Sequence, residues 1–470
     1  MNGSLGYLRL PIDPALVSGN NFNLRVEAHL SCVVKETSSA NRRVFQDSGQ
    51  NDVSCTRLSE YLVSTVIAYP SKVPYDYETR KGYIDLPFPE EEYHERIRKI
   101  REMMKDHDLS GLAVYSYPSG VERAGHLTYL SGFLNLFGGD AVMLLPIDGE
   151  PTLIFDGCLH QEPMHSYIWT TWIKDVYPST RDNLPFNIHS WIKDRDLENR
   201  RMGIVGEQML PYDIWQHIRS SVPDVNWVKM SQNFNDIQKI KSEREMQLMR
   251  KVCSMTNEGM RAGVEAVTSG ISESEIASKI NGEIAAQGAH GLNFTSLVVS
   301  GPRAGLKHSP PTPRRVQDRD LIYIDIGAKY YGYGADMSRV VVVGNPNREQ
   351  EEVLGYVRDA YYTILDVIKP GVSVTEICDL ARELEKKTGV YEKYRRKGAF
   401  MSFSVSHGVS TGFFEWSLDD NRTIISPNLS PLAFEPMIVI LGVGTIVIES
   451  MVEITQKGAE VLTPLSLDWM

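Results

Sequence analysis

The sequence predicts an α+β protein, with an α/β domain followed by a larger domain assembled from two similar halves. Three observations carry this reading. Between residues 83 and 235, short apolar strands alternate with helical or loop segments. From residue 236 onward, Gly270-Ile-Ser-Glu-Ser-Glu-Ile276 is matched about 100 residues later by Gly371-Val-Ser-Val-Thr-Glu-Ile377, each behind a helical segment. Two apolar hairpin patterns in the same region each carry a pair of acids.

A chain of 470 residues has room for two to four domains and a large core. Its 42% hydrophobic and 23% charged residues fall in the globular range. A net charge of −11, with no basic block beyond Arg395-Arg396-Lys397, argues against a nucleic-acid partner. Cys32, Cys55, Cys158, Cys253 and Cys378 are scattered and odd in number, which fits a reducing compartment better than a disulfide framework. The first residues lack a basic and then apolar leader, and the longest charge-free apolar run, Met437 to Ile448, is too short to span a bilayer. The expectation is a cytoplasmic protein with no membrane partner.

Residues 1–82 hold no sustained periodicity and are read as an N-terminal extension. In Glu91–His107, Tyr93, Ile97, Ile100, Met103 and Met104 recur at helical spacing, which predicts an amphipathic helix. Leu112–Tyr115, Ala141–Leu145, Thr152–Phe155 and Gly203–Val205 read as strands of a domain ending near Asn235. In the repeated segment, Gly closes one helix and an S-x-x-E capping box opens the next.

Asp325 ends the apolar run Leu321–Asp325, and Asp336 opens the run Asp336–Val343, with a Tyr- and Gly-rich stretch between them. A hairpin folded near Tyr330–Tyr331 sets the two acids across from each other, roughly 5 Å apart. Glu435 and Glu449 are equidistant from Gly442 in a second hairpin. A lone acid at a strand end most often sits in solvent. Four in two apolar hairpins need a common explanation, because each costs several kcal/mol to bury unpaired. A divalent metal centre supplies it. His407, beside Gly408, adds an imidazole of the kind that suits Zn, Mn, Co or Fe.

These residues resemble the creatinase, prolidase and methionine aminopeptidase superfamily, whose catalytic domain has the pita-bread fold. The likeness runs from Leu86 to Pro464 through Ile240–Glu245, Val298–His308, Asp325-Ile-Gly, Asp336, His407-Gly-Val, Phe434-Glu435-Pro436 and Ile448-Glu449. Tyr129-Leu-Ser-Gly-Phe133 is similar to the N-terminal-domain turn of the two-domain creatinase and prolidase branch. The resemblance implies a creatinase-type domain over 83–235 and a pita-bread catalytic domain of duplicated halves over 236–470. It implies a metal-dependent Xaa-Pro peptidase-like hydrolase using water activated by two divalent ions (Mn, Co, Zn or Fe). Asp325, Asp336, His407, Glu435 and Glu449 are the implied ligands, Glu435 and His308 the implied catalytic residues. A homodimer is implied too, and the aromatic stretch His165–Trp172 is either an interface patch or simply core.

Two positions depart from the family's pattern. Phe414 stands where the peptidases usually carry a second histidine, and Val447 where they commonly place an arginine. Those groups hold the peptide carbonyl and the substrate's carboxylate, so the substrate is either a short peptide or a small molecule. The small-molecule alternatives are enzymes similar to creatinase, ectoine hydrolase or a dimethylsulfoniopropionate lyase, the last because Glu415-Trp416 follows His407-Gly-Val. A pita-bread module that only binds a partner predicts eroded ligands, and all five are present.

Overall fold

The computed structural model describes residues 77–117, 125–135, 139–156, 158–159, 162–163, 169–418 and 423–465. The helix Glu90–Asp106 forms as its periodicity predicts, and Tyr93, Ile97, Ile100, Met103 and Met104 are all buried. Each such side chain contributes about 1.5–3 kcal/mol by leaving water. The four expected strands appear as Gly111–Ser116, Ala141–Pro146, Thr152–Asp156 and Arg201–Val205. They are joined by two edge strands that the pattern did not reveal, Asp175–Ser179 and Asn226–Lys229. The six make one mixed sheet, antiparallel at its centre and parallel towards both edges.

Ahead of the first long helix, Arg80 is buried, and its guanidinium donates to Thr171 O at 2.9 Å in the segment before the strand Asp175–Ser179. Tyr129, Phe133 and Trp172 lie in the core. Of the aromatic stretch His165–Trp172, Trp172 is buried within the chain, as the core reading expects, and residues 165–168 lie outside the described residues.

The second part is built twice from one plan. Helices Glu243–Ala266 and Glu273–Ala286 answer to Arg348–Leu365 and Val374–Thr388. Ser272 and Ser373 each close a capping box with the glutamate three residues on, an arrangement that contributes on the order of 1 kcal/mol. The likeness extends to long-range bonds. Gly270 N donates to Val316 O and Gly371 N to Ile425 O, while Ser272 bridges Arg315 and Ser373 bridges Ile424. Each half also holds a hairpin flanked by a third antiparallel strand. These are Leu297–Ser300, Leu321–Ile326 and Met337–Val342 in the first half, and Phe400–Ser402, Met437–Ile440 and Gly444–Val447 in the second.

The two parts meet in a buried polar cluster. Arg96 lies 3.6 Å from Glu245, and the Tyr333 hydroxyl donates to the same carboxylate at 2.9 Å. This fixes the tip of the first hairpin, where Tyr331 and Gly332 both take positive φ, as a two-residue turn of matching twist requires. Among the described residues, no helix is long and apolar enough to cross a membrane.

Candidate metal centre

The hairpins place the acids by register. In the first, Asp325 faces Ser338 and not Asp336, because the paired strands run Ile326↔Met337 and Asp325↔Ser338. The expected direct opposition is thus replaced by a diagonal one. Alternation still leaves both acids on one face, since Asp336 and Ser338 are two residues apart. In the second, Met437 faces Val447, so the register extended outward brings Glu435 opposite Glu449 as the spacing predicts. Both glutamates lie just beyond the paired strands, where side chains are free to turn inward.

His407 sits mid-strand in Ser406–Gly408. Its neighbour must be glycine, since a Cβ on Gly408 meets Trp416 Cδ1 at 2.1 Å. The loop after it is tied down by the buried Glu415, which accepts from Gly412 N at 3.1 Å and Gln238 Nε2 at 3.0 Å, and pairs with Lys241 at 2.9 Å.

All five candidate ligands are buried, none more than 6% exposed. Asp336, His407 and Glu449 each turn one ligand atom into a group no more than 4.8 Å across. His407 Nε2 lies 3.5 Å from Asp336 Oδ2 and 4.0 Å from Glu435 Oε1. The Tyr323 hydroxyl donates to Asp325, and Ser338 donates to Glu449. Oδ1 of Asp325 and Oδ1 of Asp336 are buried without a hydrogen-bond partner among the described residues. Leaving such oxygens unsatisfied is costly, and a divalent cation with carboxylate and imidazole ligands fits them.

The electrostatics agree. Burial first, then Glu449, Asp325 and Glu435, push the Asp336 carboxyl well above its ordinary value. Burial, Glu435 and Asp325 do the same to Glu449. Burial also raises Glu435, against the pull of Lys307. The same burial lowers His407 to about 4, so its ring is neutral and ready to ligate near neutral pH.

His308 stands at one side of this centre. It is exposed, has a left-handed backbone (φ 66°), and is near enough to Lys307 and Asp325 for their charges to act on it. Its neighbour Lys307 reaches in, donating to Glu435 Oε2 at 2.7 Å. Sequence reading passed over Lys307, although it lies inside the motif that ends at His308. It also missed Tyr323 and Ser338, whose signal is positional. Tyr323 lies two residues before Asp325 on the same strand face, and Ser338 lies opposite Asp325. Phe414 is exposed with its ring 4.7 Å from that of His407, beside Phe413, whereas Val447 is buried in the second half's core.

Comparison with known proteins agrees with this construction. The model of metallopeptidase family M24 matches residues 247–456, and that of the creatinase/prolidase N-terminal domain matches residues 96–240. The chain is 30% identical over 371 residues to an Xaa-Pro dipeptidase of Pyrococcus furiosus, covering 78% of this chain and 97% of the relative. It is 26% identical over 375 residues to an Xaa-Pro dipeptidase of Pyrococcus horikoshii, covering 79% and 97%. Among solved structures, the prolidase from Pyrococcus furiosus superposes with a TM-score of 0.64 at 26% identity, over 78% of this chain and 99% of that one. The chain belongs to the M24 metallopeptidase family, in its two-domain form with a creatinase/prolidase N-terminal domain.

Proposed function

We propose that the protein is a metal-dependent hydrolase of the Xaa-Pro peptidase type, in which Asp325, Asp336, His407, Glu435 and Glu449 hold two divalent ions, either Mn, Co, Zn or Fe. The observation that carries this is the convergence of buried ligand-type side chains from both halves, with carboxylate oxygens that no donor among the described residues meets. When bound, such ions lower the pKa of water and polarise a carbonyl. Glu435 is placed to take and return a proton at Oε1 or Oε2, since it faces His407 on one side and Lys307 on the other. His308, exposed and near enough to Asp325 to feel its charge, is assigned to orient the substrate. The remaining family expectations, a homodimer in the cytoplasm and a domain division near residue 236, belong to the same proposal.

A second reading rests on Phe414 and Val447. Neither side chain donates a hydrogen bond, so a small-molecule substrate of the creatine, ectoine or dimethylsulfoniopropionate kind competes with a peptide. One experiment separates the two. The protein reconstituted with each metal is assayed on Xaa-Pro dipeptides beside those three compounds. A kcat/KM above about 10⁴ M⁻¹s⁻¹ on a dipeptide supports the peptidase reading. Turnover of one of the small molecules alone overturns it, and light scattering at micromolar concentration gives the subunit number.

A further inference from the structure

We propose that Lys307 is the seat for the substrate's carboxylate, a specificity-determining residue of the site assigned above, and this inference rests on that assignment. Among the described residues, no other lysine and no arginine forms an ion pair with any of the five candidate ligands. The Lys307 ammonium donates to Glu435 Oε2 at 2.7 Å and lies 3.5 Å from Met437 Sδ. Its side chain keeps 17% of its surface exposed, so it is not sealed in the core.

Charge balance makes the case. Asp325, Asp336, Glu435 and Glu449 carry four negative charges when ionised. Two divalent cations offset all four, and Lys307 is then an ammonium in a largely buried place whose former partner is engaged elsewhere. A cation so placed calls for an anion. The free carboxylate of a short peptide supplies one.

The loop that presents Lys307 is built before any ligand arrives. The buried carboxylate of Glu273 accepts from Ser300 N at 2.8 Å and from Thr312 N at 2.9 Å, clamping both ends of the segment, and it also holds Arg303. Thr445 N donates to Ala304 O at 2.7 Å, fastening the loop to the second hairpin. A receptor ordered in advance loses little entropy on binding. Arg339, also near, is committed to the carbonyls of Ser338, Glu449 and Thr463.

The test compares metal-loaded wild type, Lys307→Met and Lys307→Arg on Ala-Pro and on Ala-Pro amide, with metal content measured for each. Calorimetric binding of L-proline and of L-prolinamide to the same preparations is a readout independent of turnover. The expected result is a wild-type preference for the acid. The acid-to-amide ratio of kcat/KM should fall roughly tenfold or more in Lys307→Met, and Lys307→Arg should restore part of it. L-proline should lose its advantage over L-prolinamide in the same variant. An equal loss on acid and amide, or a drop in metal content, overturns the proposal by showing that Lys307 serves the ligand cluster instead. Wild type that turns over neither peptide yet binds L-proline through Lys307 overturns the hydrolase reading and leaves the anion seat standing.

Discussion

Ser338 and Glu449 are joined twice: Glu449 N donates to Ser338 O at 3.2 Å, and the Ser338 hydroxyl donates to the Glu449 carboxylate. Ser338 belongs to the first half and Glu449 to the second, so this pair fastens the halves together where the candidate ligands converge. Ser338→Ala should leave the fold intact and lower metal affinity by about 10–100-fold, as loss of a ligand's supporting hydrogen bond does. Metal titration against a competing chelator reads the effect. Unchanged affinity shows that Glu449 is held without Ser338.

Asp336 lies at the centre of the cluster, within 3.5 Å of His407 Nε2. Asp336→Asn should abolish stoichiometric metal binding and turnover together, while wild type takes up about two ions per chain. Elemental analysis after reconstitution decides this. Full metal content in the variant, with activity kept, removes Asp336 from the ligand set.

Metal removal should expose a pH dependence whose sign follows from the raised carboxyls. Asp336 and Glu449 titrate well above their ordinary values in the folded, metal-free protein. A raised folded-state pKa contributes stability that is complete below the unfolded value of about 4 and is lost as pH climbs through the folded one. The melting temperature of chelator-treated protein should therefore fall as pH rises above that range. Added metal binds the ionised carboxylates, so its stabilising effect should grow with pH, and His407, held down to about 4, is neutral near neutral pH. Thermal scans with and without metal across pH give the comparison. A metal-induced shift that shrinks as pH rises contradicts the assignment.

Gly408→Ala tests how tightly His407 is seated. The added methyl meets the Trp416 ring at 2.1 Å and Ser430 Oγ at 2.8 Å. Overpacking of this kind costs about 1–3 kcal/mol. Denaturant unfolding should show that loss, and metal affinity should fall with it because His407 shifts. A stable variant with native affinity means that the indole moves aside freely.

Phe414→His places a donor beside the candidate metal centre at little structural cost, since Phe414 is 51% exposed. If the chain cleaves Xaa-Pro peptides, kcat/KM for them should rise roughly tenfold, the value of one charge-assisted contact. The native small-molecule reaction, if that is the true one, should fall instead. Val447→Arg is the poorer probe, because Val447 is fully buried and a guanidinium there costs several kcal/mol unless paired. Both assays on the single variant settle the direction.

Local periodicity was enough to fix the amphipathic helix at Glu90–Asp106, the central strands of the first sheet and the capping-box pair at Ser272 and Ser373. The register of Glu435 against Glu449 was legible for the same reason, because a short hairpin sets its pairing from within. The offset between Asp325 and Asp336 was not legible. It follows from a two-residue turn at Tyr331-Gly332, whose tip is held by Tyr333 on Glu245, 88 residues away in sequence. The edge strands Asp175–Ser179 and Asn226–Lys229 emerge only when the sheet is assembled, since neither is apolar enough to announce itself. Lys307 is the clearest case of a tertiary decision. Its place in the site depends on Glu273 clamping Ser300 and Thr312, contacts that span 27 and 39 residues. Residue types and spacing name the groups able to bind a cation, but the direction in which a loop side chain points is set by long-range hydrogen bonds that no local pattern encodes.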